Sequence, residues 1–458
     1  MSDLRPADSW LGHARATVWL GLPLIGAQLA QTALNVTNTL VLGRLGPDEL
    51  AASVLGWQLF FVVWMFGSGF GFAVMPLVAN ALGAGDRSGV GRFVRMGLWV
   101  CLGYALVMMV PLSQAEAIFL ALGQDPRLAR LAADYVAVLQ WSLFAQLTLI
   151  VLRCFLGALG RPVIAVVAMV GGVIVNAALN PLLVRGGLGL PALGMAGAGL
   201  ATVISTAAVA LGMVLYCARQ RDLRPMTVFR GFRRPDTDAL REVFRLGWPI
   251  GATVVAEVTL FSATSILMGW IGPHELAAHG IALQLSGLTF MIPLGLSAAA
   301  TIRVGWLHGR DDRRGVVRAA TTALVMGIGI ACLTALTFLT VPEGLVALYL
   351  DLDDPSSAAV LPFAVTFLAV AAAFQIVDAI QALSSGALRG LKDARVPMLI
   401  ALFSYWAIGL PVGWWLAFRA GFGGIGIWWG LAIGLAVAAT LMTARLVSQA
   451  RRVGAQAS

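Results

Sequence analysis

Residues 246–284 read LGWPIGATVVAEVTLFSATSILMGWIGPHELAAHGIALQ, and this stretch decides the fold. Two apolar segments flank a Gly-Pro turn, and Glu257 is the single charge between Arg245 and Glu275. Residues 20–58 carry the same pattern at an offset of 226, with Leu-Gly-x-Pro at the start, Gly-Pro-x-Glu-Leu-Ala-Ala in the turn and Gln at the end. Several separate motifs share this one offset, which indicates an internal duplication of the kind that secondary transporters carry.

The repeat extends beyond these stretches. An Asp-Arg pair at 86–87 recurs at 312–313 with the same offset, and later similarities are displaced by small gaps. We therefore expect an amino-terminal lobe at residues 1–218, a basic cytoplasmic linker at 219–245 and a carboxy-terminal lobe at 246–458. Each lobe holds six apolar segments, and an even number gives the two halves the same orientation in a membrane.

The composition is that of a membrane protein, because the chain is 59% hydrophobic and only 12% charged. Soluble domains carry roughly 25% charged residues. A membrane-spanning helix needs roughly 17–25 apolar residues, a length that most of the twelve predicted spans reach. The sequence predicts an all-α integral membrane protein with twelve transmembrane helices in two six-helix lobes. The runs that mark these spans are free of charge apart from Glu257 in the seventh, and they are 16–43, 50–85, 96–115, 135–152, 162–184, 186–218, 246–274, 276–302, 319–342, 355–377, 396–418 and 420–444.

Basic residues lie mainly on one side of the predicted spans. If successive loops alternate between two faces, 26 of the 31 Lys and Arg residues fall on the face that also holds both termini. The positive-inside rule assigns this face to the cytoplasm. We expect a multi-pass protein of a bacterial inner membrane, in contact with membrane lipids, with both termini cytoplasmic. The formal net charge of +9 does not indicate nucleic-acid binding, because the arginines lie in short loops between spans.

Two acids lie inside apolar spans. Glu257 follows Arg245 by twelve residues and Asp378 precedes Arg389 by eleven, so both acids lie about 17 Å from the cytoplasmic face. This depth is near the middle of a hydrocarbon core about 30 Å thick, where a carboxylate is costly and marks a functional site by default. The alternative is a structural carboxylate bonded to neighbouring helices. Two carboxylates at one depth suit a site for a proton or a cation such as sodium.

Sodium is a hard ion that prefers oxygen ligands, by the logic that holds for other hard cations. Besides the two acids, the oxygens of Thr259, Gln284 and Ser286 could line the site in the second lobe. Pro23 and Pro249 lie at matched positions early in spans one and seven. Proline bends a helix, so each is either a static kink or a hinge for alternating access.

Several motifs, taken together and in order, resemble the multidrug and toxic compound extrusion (MATE) family, in its NorM-like branch. The resemblance covers about residues 15–445 and implies two six-helix lobes that export drugs in exchange for sodium or protons. The stretches that carry it are PIG at 249–251 with EVTLF at 257–261, ELAAHGIALQ at 275–284, IRVG at 302–305, QIVD at 375–378, GALRG at 386–390 and IGLP at 408–411.

The resemblance also assigns individual residues. Glu257 and Asp378 match the acids of the second-lobe cation site, and Phe374 occupies a place where such members can carry tyrosine. The first helix departs from the family pattern, since Asn38 stands where an aspartate is common, and an amide cannot carry a proton. Asn176 and Asn180 match the family pattern and are candidates for a first-lobe cavity. Hydrogen bonding between helices is the alternative role for these three asparagines.

The sequence therefore predicts a secondary active antiporter that exports cationic, amphipathic compounds in exchange for sodium or protons. It should act as a monomer, with no cofactor apart from the coupling ion. A flippase for lipid-linked precursors remains the alternative, although acids at the midplane favour a cationic substrate. An enzyme is disfavoured, because HExxH, GxSxG and Asp-rich prenyl-phosphate motifs are all missing from the sequence. The sequence also contains no P-loop, so energy should come from an ion gradient.

Overall fold

Every regular element in the described part of the chain is a helix, which confirms the predicted fold class. The structure is a computed structural model. Side chains of residues 34–36, 38–40, 224 and 451–455 lie outside the described part. The described residues are 9–42, 45–186, 189, 191–226, 228–229, 232, 235–351 and 357–455.

The first half of the chain forms eight helices followed by a short 3₁₀ segment. Long apolar runs without polar interruptions favour helices here, because a helix satisfies its own backbone hydrogen bonds within a membrane. The elements are α1 (Trp10–Leu42), α2 (Pro47–Gly83), α3 (Arg87–Ser113), α4 (Ala115–Ala121), α5 (Pro126–Leu139), α6 (Ser142–Ala158), α7 (Pro162–Arg185), α8 (Gly194–Arg219) and the 3₁₀ segment Arg221–Met226.

The second half repeats this pattern, with one irregular span near its end. Two π-helical stretches, Phe403–Gly409 and Trp415–Arg419, interrupt the eleventh predicted span on either side of a short α-helix. The α-helices are α9 (Thr237–Ile271), α10 (Pro273–Gly309), α11 (Arg313–Thr340), α12 (Pro342–Val346), α13 (Ser357–Gly390), α14 (Arg395–Leu402), α15 (Leu410–Trp414) and α16 (Gly424–Ala455).

The helices account for the twelve predicted spans. Among the described residues, ten helical segments are long and apolar enough to cross a bilayer. The pair α5 and α6, bent by 50° at its break, provides an eleventh. The 33-residue α1 covers the first predicted span, and part of its side chains lie outside the described residues.

Matched helix starts show the repeat in three dimensions. Asp86 caps α3 by accepting the Gly89 backbone N–H at 2.8 Å, and Asp312 caps α11 by accepting the Gly315 N–H at 2.9 Å. The two aspartates are related by the offset of 226 seen in the sequence. An aspartate at this position satisfies a backbone donor that the helix itself leaves unpaired. The same local signal therefore begins the third span of each half.

By contacts, the chain forms two compact units. The first unit comprises Gly26–Gly251, and the second comprises the described residues up to Ile25 together with the chain from Ala252 onward. Both boundaries fall inside helices, in α1 and in α9, two residues after Pro23 and two after Pro249. The first turns of α9 therefore belong to the first unit, and the beginning of α1 belongs to the second.

Much of the predicted linker is tied to the first unit. Asp222 in the 3₁₀ segment pairs with Arg161 at 2.9 Å, and Asp236 pairs with Arg92 at 3.3 Å. The Trp99 indole N–H donates to the Phe232 carbonyl at 2.8 Å. The Asp222 contact holds the pKa of that carboxyl below its usual range, chiefly because it accepts a hydrogen bond from Arg161. The connection between the two predicted lobes is thus bonded along the first unit.

In the second unit, α10 and α13 pack at close range. A Cβ on Gly386 would lie 2.6 Å from the Ser297 carbonyl oxygen, so only glycine allows this approach. Two hydroxyls cross the interface: Ser297 Oγ donates to the Ala382 carbonyl at 2.6 Å, and Thr301 Oγ1 donates to the Gly386 carbonyl at 2.8 Å. Close approach of small residues is a common way to join helices in membranes. This contact fixes α13, which carries Asp378.

Candidate cation site in the second unit

The structure brings the two predicted acids together. Glu257 is half-buried on α9, and Asp378 is 5% exposed on α13. The two carboxylates lie close enough to interact electrostatically. Asp378 Oδ1 is buried and has no hydrogen-bond partner in the described part of the chain. A buried acceptor without a partner is costly, so this oxygen is available to a proton, a cation or a bound donor.

Tyr405 belongs to the same cluster. Its ring is fully buried, its hydroxyl has no partner among the described residues, and it lies within electrostatic range of both carboxylates. It is part of the π-helical stretch Phe403–Gly409, which often occurs at functional sites. The next residue, Trp406, donates its indole N–H to the Ala256 carbonyl at 3.3 Å, beside Glu257. No sequence pattern assigned Tyr405 to the site, although a tyrosine in the middle of a predicted span is a signal for a polar site.

Of the two predicted lining hydroxyls, that of Ser286 is the one that lacks a hydrogen-bond partner among the described residues. Ser286 on α10 is 5% exposed, and its Oγ has no partner among the described residues. Thr259 instead donates to the Val255 carbonyl of its own helix, at 2.6 Å. Gln284 is exposed. Residues two apart differ by about 200° around a helix, so Gln284 and Ser286 lie on different faces of α10.

Phe374 supplies an apolar wall one turn before Asp378. It is buried and packs edge-to-face against Phe261 at 6.3 Å and against Trp428 at 5.8 Å, measured between ring centroids. Trp428 in turn packs edge-to-face on His279, whose ring nitrogens have no partners in the described residues. Phe374 cannot provide a ligand oxygen, and the nearby hydroxyl belongs to Tyr405. The position that the family resemblance singles out is therefore aromatic but not polar.

Arg389 is a cation near the site, although no sequence pattern assigned it there. It lies within electrostatic range of Glu257 and donates to Ser297 Oγ at 3.2 Å. Its position at the end of α13 could be explained by a side chain reaching toward water, but the structure places it beside α10 instead. Glu257 therefore has a positively charged neighbour, Arg389. Asp378 instead has a negatively charged neighbour, Glu257.

The donor set fits a hard monovalent cation better than a transition metal. The described residues contain no group of three or more His, Cys, Asp and Glu side chains suited to a metal ion. The two carboxylates and the Tyr405 hydroxyl, which lie within electrostatic range of one another, are all oxygen donors, as sodium prefers. The same carboxylates can also hold protons. The arrangement can exchange one small cation for another at a fixed place.

The first-unit candidates have a different environment. Asn176 and Asn180 on α7 are fully buried. Asn176 Nδ2 donates to Ser205 Oγ on α8 at 3.3 Å, and Asn180 Nδ2 donates to Asn176 Oδ1 at 3.4 Å. These amides join two helices through neutral groups. Asn38 lies on α1, and its side chain is outside the described residues.

Comparison with known families and relatives identifies similar proteins. The MatE family model matches residues 23–182 and 249–415. A protein of Agrobacterium fabrum called "Probable multidrug resistance protein NorM" is 47% identical over 446 residues, which cover 97% of this chain and 96% of that protein. One of the same name in Rhizobium meliloti is 46% identical over 451 residues, covering 98% of this chain and 96% of that protein.

Solved structures show the same fold. A crystal structure of MATE in complex with MaL6 aligns with a TM-score of 0.87 and 21% identity, over 96% of this chain and 97% of that one. A eukaryotic MATE transporter aligns with a TM-score of 0.84 and 23% identity, over 97% of this chain and 99% of that one. At these identities the likeness establishes the arrangement of helices alone.

Proposed function

Because the chain belongs to the MatE family, we propose that it is a secondary active multidrug efflux antiporter that exports cationic, amphipathic compounds. The relatives named as multidrug resistance proteins support export of drugs. Members of this family are transporters, so the expectation that the chain is not an enzyme is confirmed. Glu257 lies within the apolar run 246–274, and Asp378 directly follows the apolar run 355–377. A charged substrate therefore needs a dedicated counter-charge at this depth.

The observation that carries the proposal is the unpartnered Asp378 carboxylate beside Glu257. Two nearby carboxylates in a low-dielectric site cannot both stay charged without compensation, and Arg389 beside Glu257 supplies at most one positive charge. A sodium ion, a proton or the positive charge of a drug can supply this compensation. Since these ligands share the same oxygens, binding of one weakens binding of another, which is the physical basis of exchange.

The coupling ion is sodium or a proton. The hydroxyls of Ser286 and Tyr405 support sodium, because they add neutral oxygens to the two carboxylates. A proton needs only the carboxylates. In either case the ion gradient is the energy source, since the sequence contains no P-loop for nucleotide hydrolysis.

Alternating access would use the prolines of α1 and α9. Each proline removes one backbone hydrogen bond and weakens the helix at one place. Pro23 and Pro249 both lie two residues before the point at which their helix passes from one unit to the other. A bend at these two places is the simplest way for each helix to follow two units. We propose that the protein works as a monomer in a bacterial inner membrane, with both termini in the cytoplasm.

Transport of a fluorescent cationic dye into proteoliposomes tests the proposal, with sodium and pH gradients imposed separately on the full-length protein. Uptake driven by sodium alone identifies sodium as the coupling ion, and uptake driven by the pH gradient alone identifies the proton. If the folded protein moves dye under neither gradient, the antiport proposal is wrong. A lipid-linked substrate is then the next one to test.

A further inference from the structure

The wall of a small cavity in the first unit holds an arginine without a carboxylate partner and an indole N–H without an acceptor, as far as the described residues show. It encloses about 20 Å³, and all its lining residues belong to the first unit. Arg153 on α6 and Trp64 on α2 both contribute to its wall. This volume is enough for one small polar group, since a water needs roughly 10–15 Å³ by the same measure. Other lining residues are Gln31, Gln146, Met169, Gly172, Thr206 and Met213.

Arg153 has no carboxylate partner in the described part of the chain. Its single hydrogen bond there runs from Nη1 to Gln28 Oε1, at 2.8 Å. A guanidinium carries five N–H donors and a permanent positive charge. One neutral amide therefore leaves most of its donors and all its charge unmatched, which is unfavourable for a half-buried cation.

Trp64 supplies a second, independent donor to the same cavity. Its side chain is 9% exposed, and its indole Nε1–H is buried with no acceptor in the described residues. Indole is a donor only and cannot be satisfied by another N–H group. Gln146 Nε2 already donates to Ser142 Oγ at 2.9 Å, and Thr206 Oγ1 donates to the Thr202 carbonyl at 2.6 Å. The cavity wall thus holds the neutral amides of Gln31 and Gln146 but no acid, so what the Arg153 guanidinium lacks there is an acceptor that carries negative charge.

The surrounding sequence provides no such acceptor. Between Gly26 and Arg219 the acids are Asp48, Glu49, Asp86, Glu116, Asp125 and Asp134, and none of them lines the cavity. The six side chains of α1 that the structure does not describe, at 34–36 and 38–40, include no acid. At the offset of 226, Gln31 in the cavity wall corresponds to Glu257 in the second half. The acid of one half is thus a neutral amide in the other.

We propose that Arg153 and Trp64 form a binding site for one small monovalent anion, either free chloride or the carboxylate of a transported molecule. The guanidinium provides the charge, and the indole N–H provides direction. The enclosed volume admits only the anionic group, so any larger ligand enters by its carboxylate alone. The carboxylate source rests on the proposed export function, whereas the chloride source does not.

Thermal unfolding of the purified full-length protein tests the site without relying on transport. Melting is compared in sodium chloride and sodium gluconate at equal concentration, so that sodium at the second unit stays constant. Chloride should raise the wild-type melting temperature by about 1–2 °C, as expected for a ligand that binds only the folded state. Arg153→Gln should lose this rise and Trp64→Phe should reduce it. Arg127→Gln, at a side chain 80% exposed, should retain it.

A matched pair of dyes tests the carboxylate source. Tetramethylrhodamine methyl ester is a cation. The free acid carries the same fluorophore, with a carboxylate in place of the methyl ester. In proteoliposomes, Arg153→Gln should lower transport of the free acid about tenfold relative to the ester, which is a loss of about 1.4 kcal/mol of interaction. Transport of the ester should stay within twofold of wild type.

The outcomes separate the two sources and the two proposals. A chloride effect without dye discrimination identifies free chloride, and dye discrimination identifies a substrate carboxylate. If Arg153→Gln alters neither, the cavity holds only water and the anion site is wrong. Should that variant fail to fold, Trp64→Phe, which keeps most of the aromatic volume, decides between the same outcomes. A wild-type protein that transports neither dye but melts higher in chloride refutes export and retains the anion site.

Discussion

The two units build similar helices but carry opposite charges at their candidate sites. In the acid cluster of the second unit an acceptor, Asp378 Oδ1, has no partner among the described residues, and Glu257 lies close by. In the first unit the unmatched groups are donors, the guanidinium of Arg153 and the indole of Trp64. Duplication therefore copied the helical scaffold, whereas a few substitutions set the chemistry of each half.

What the halves share is mostly local and geometric. The Gly-Pro starts of α2 and α10 and the aspartate caps of α3 and α11 recur at one offset. Such features fix where a helix begins and say nothing about charge in the middle of a span. The Gln31 and Glu257 pair shows how little is needed for divergence, because the side chains differ only in an amide and a carboxylate.

The largest effect should come from neutralising the two acids of the second unit. Glu257→Gln and Asp378→Asn should each lower ion-driven efflux of a cationic dye by at least about 100-fold, because an amide neither carries a proton nor balances a cation. Initial rates in proteoliposomes measure this. Asp238→Asn, an exposed acid at the start of the same helix α9, is the control and should be near wild type. Retained efflux in both variants would show that the acids are structural.

An acid placed in the cavity wall of the first unit should balance the positive charge of Arg153. Gln31→Glu puts a carboxylate in the cavity wall with Arg153, so the protein supplies its own anion. We expect the chloride-dependent rise in melting temperature to disappear. Transport of the free-acid dye should fall about tenfold relative to transport of its methyl ester. Gln31→Met tests whether loss of the amide alone does this. A Gln31→Glu protein with an unchanged chloride response would argue against an anion at Arg153.

The hinges should matter less than the charges. Pro249→Ala permits an additional backbone hydrogen bond in α9 and should slow dye turnover by about twofold to fivefold, with dye affinity unchanged. Pro23→Ala makes the same change in α1, and the matched pair reports whether both helices bend. Dye binding measured by fluorescence polarisation separates an effect on dye affinity from an effect on turnover. Unchanged turnover in both variants would identify static kinks.

The smallest effect concerns the caps. Asp86→Ala and Asp312→Ala should each destabilise the protein by about 1 kcal/mol, and by similar amounts if the halves are equivalent. The Gly89 N–H, and then the Ser88 hydroxyl, hold the pKa of Asp86 below its usual 3.8. A lowered folded-state pKa means that this stabilisation is present above about pH 4 and is lost as the pH falls below that value. Thermal melting from pH 7 to pH 3 should therefore bring Asp86→Ala and wild type closer together.

The sequence predicted the spans, the repeat and the two acids, because each depends on charge and apolarity along the chain. It did not predict the direction of individual side chains. The charge pattern ends the fourth predicted span at residue 152, just before Arg153, whereas the structure places Arg153 inside α6 and in the wall of the cavity. Tyr405 was missed as a member of the acid cluster, since its π-helical stretch alters the spacing on which helical patterns depend.

Neighbouring helices decide the remaining differences. Thr259 satisfies its hydroxyl within its own helix, which composition could not show. The charge pattern marks residues 219–245 as a connection, and the contacts instead divide the chain inside α1 and α9. A run of arginines reports which side of the membrane a segment occupies. It carries no information about which helices that segment packs against.

The amino-terminal part of α1 belongs to a unit whose other members are synthesised much later. His13 meets Arg303 across 290 residues, and the Ile25 side chain packs where Gly295 leaves room. At about 5–20 residues per second, a ribosome needs roughly 15–60 seconds to reach these partners after α1 has emerged. During that interval the start of the chain has left the ribosome but cannot complete its native contacts. Biogenesis of this protein therefore requires that its first helix be held by lipid or by the insertion machinery until α10 arrives.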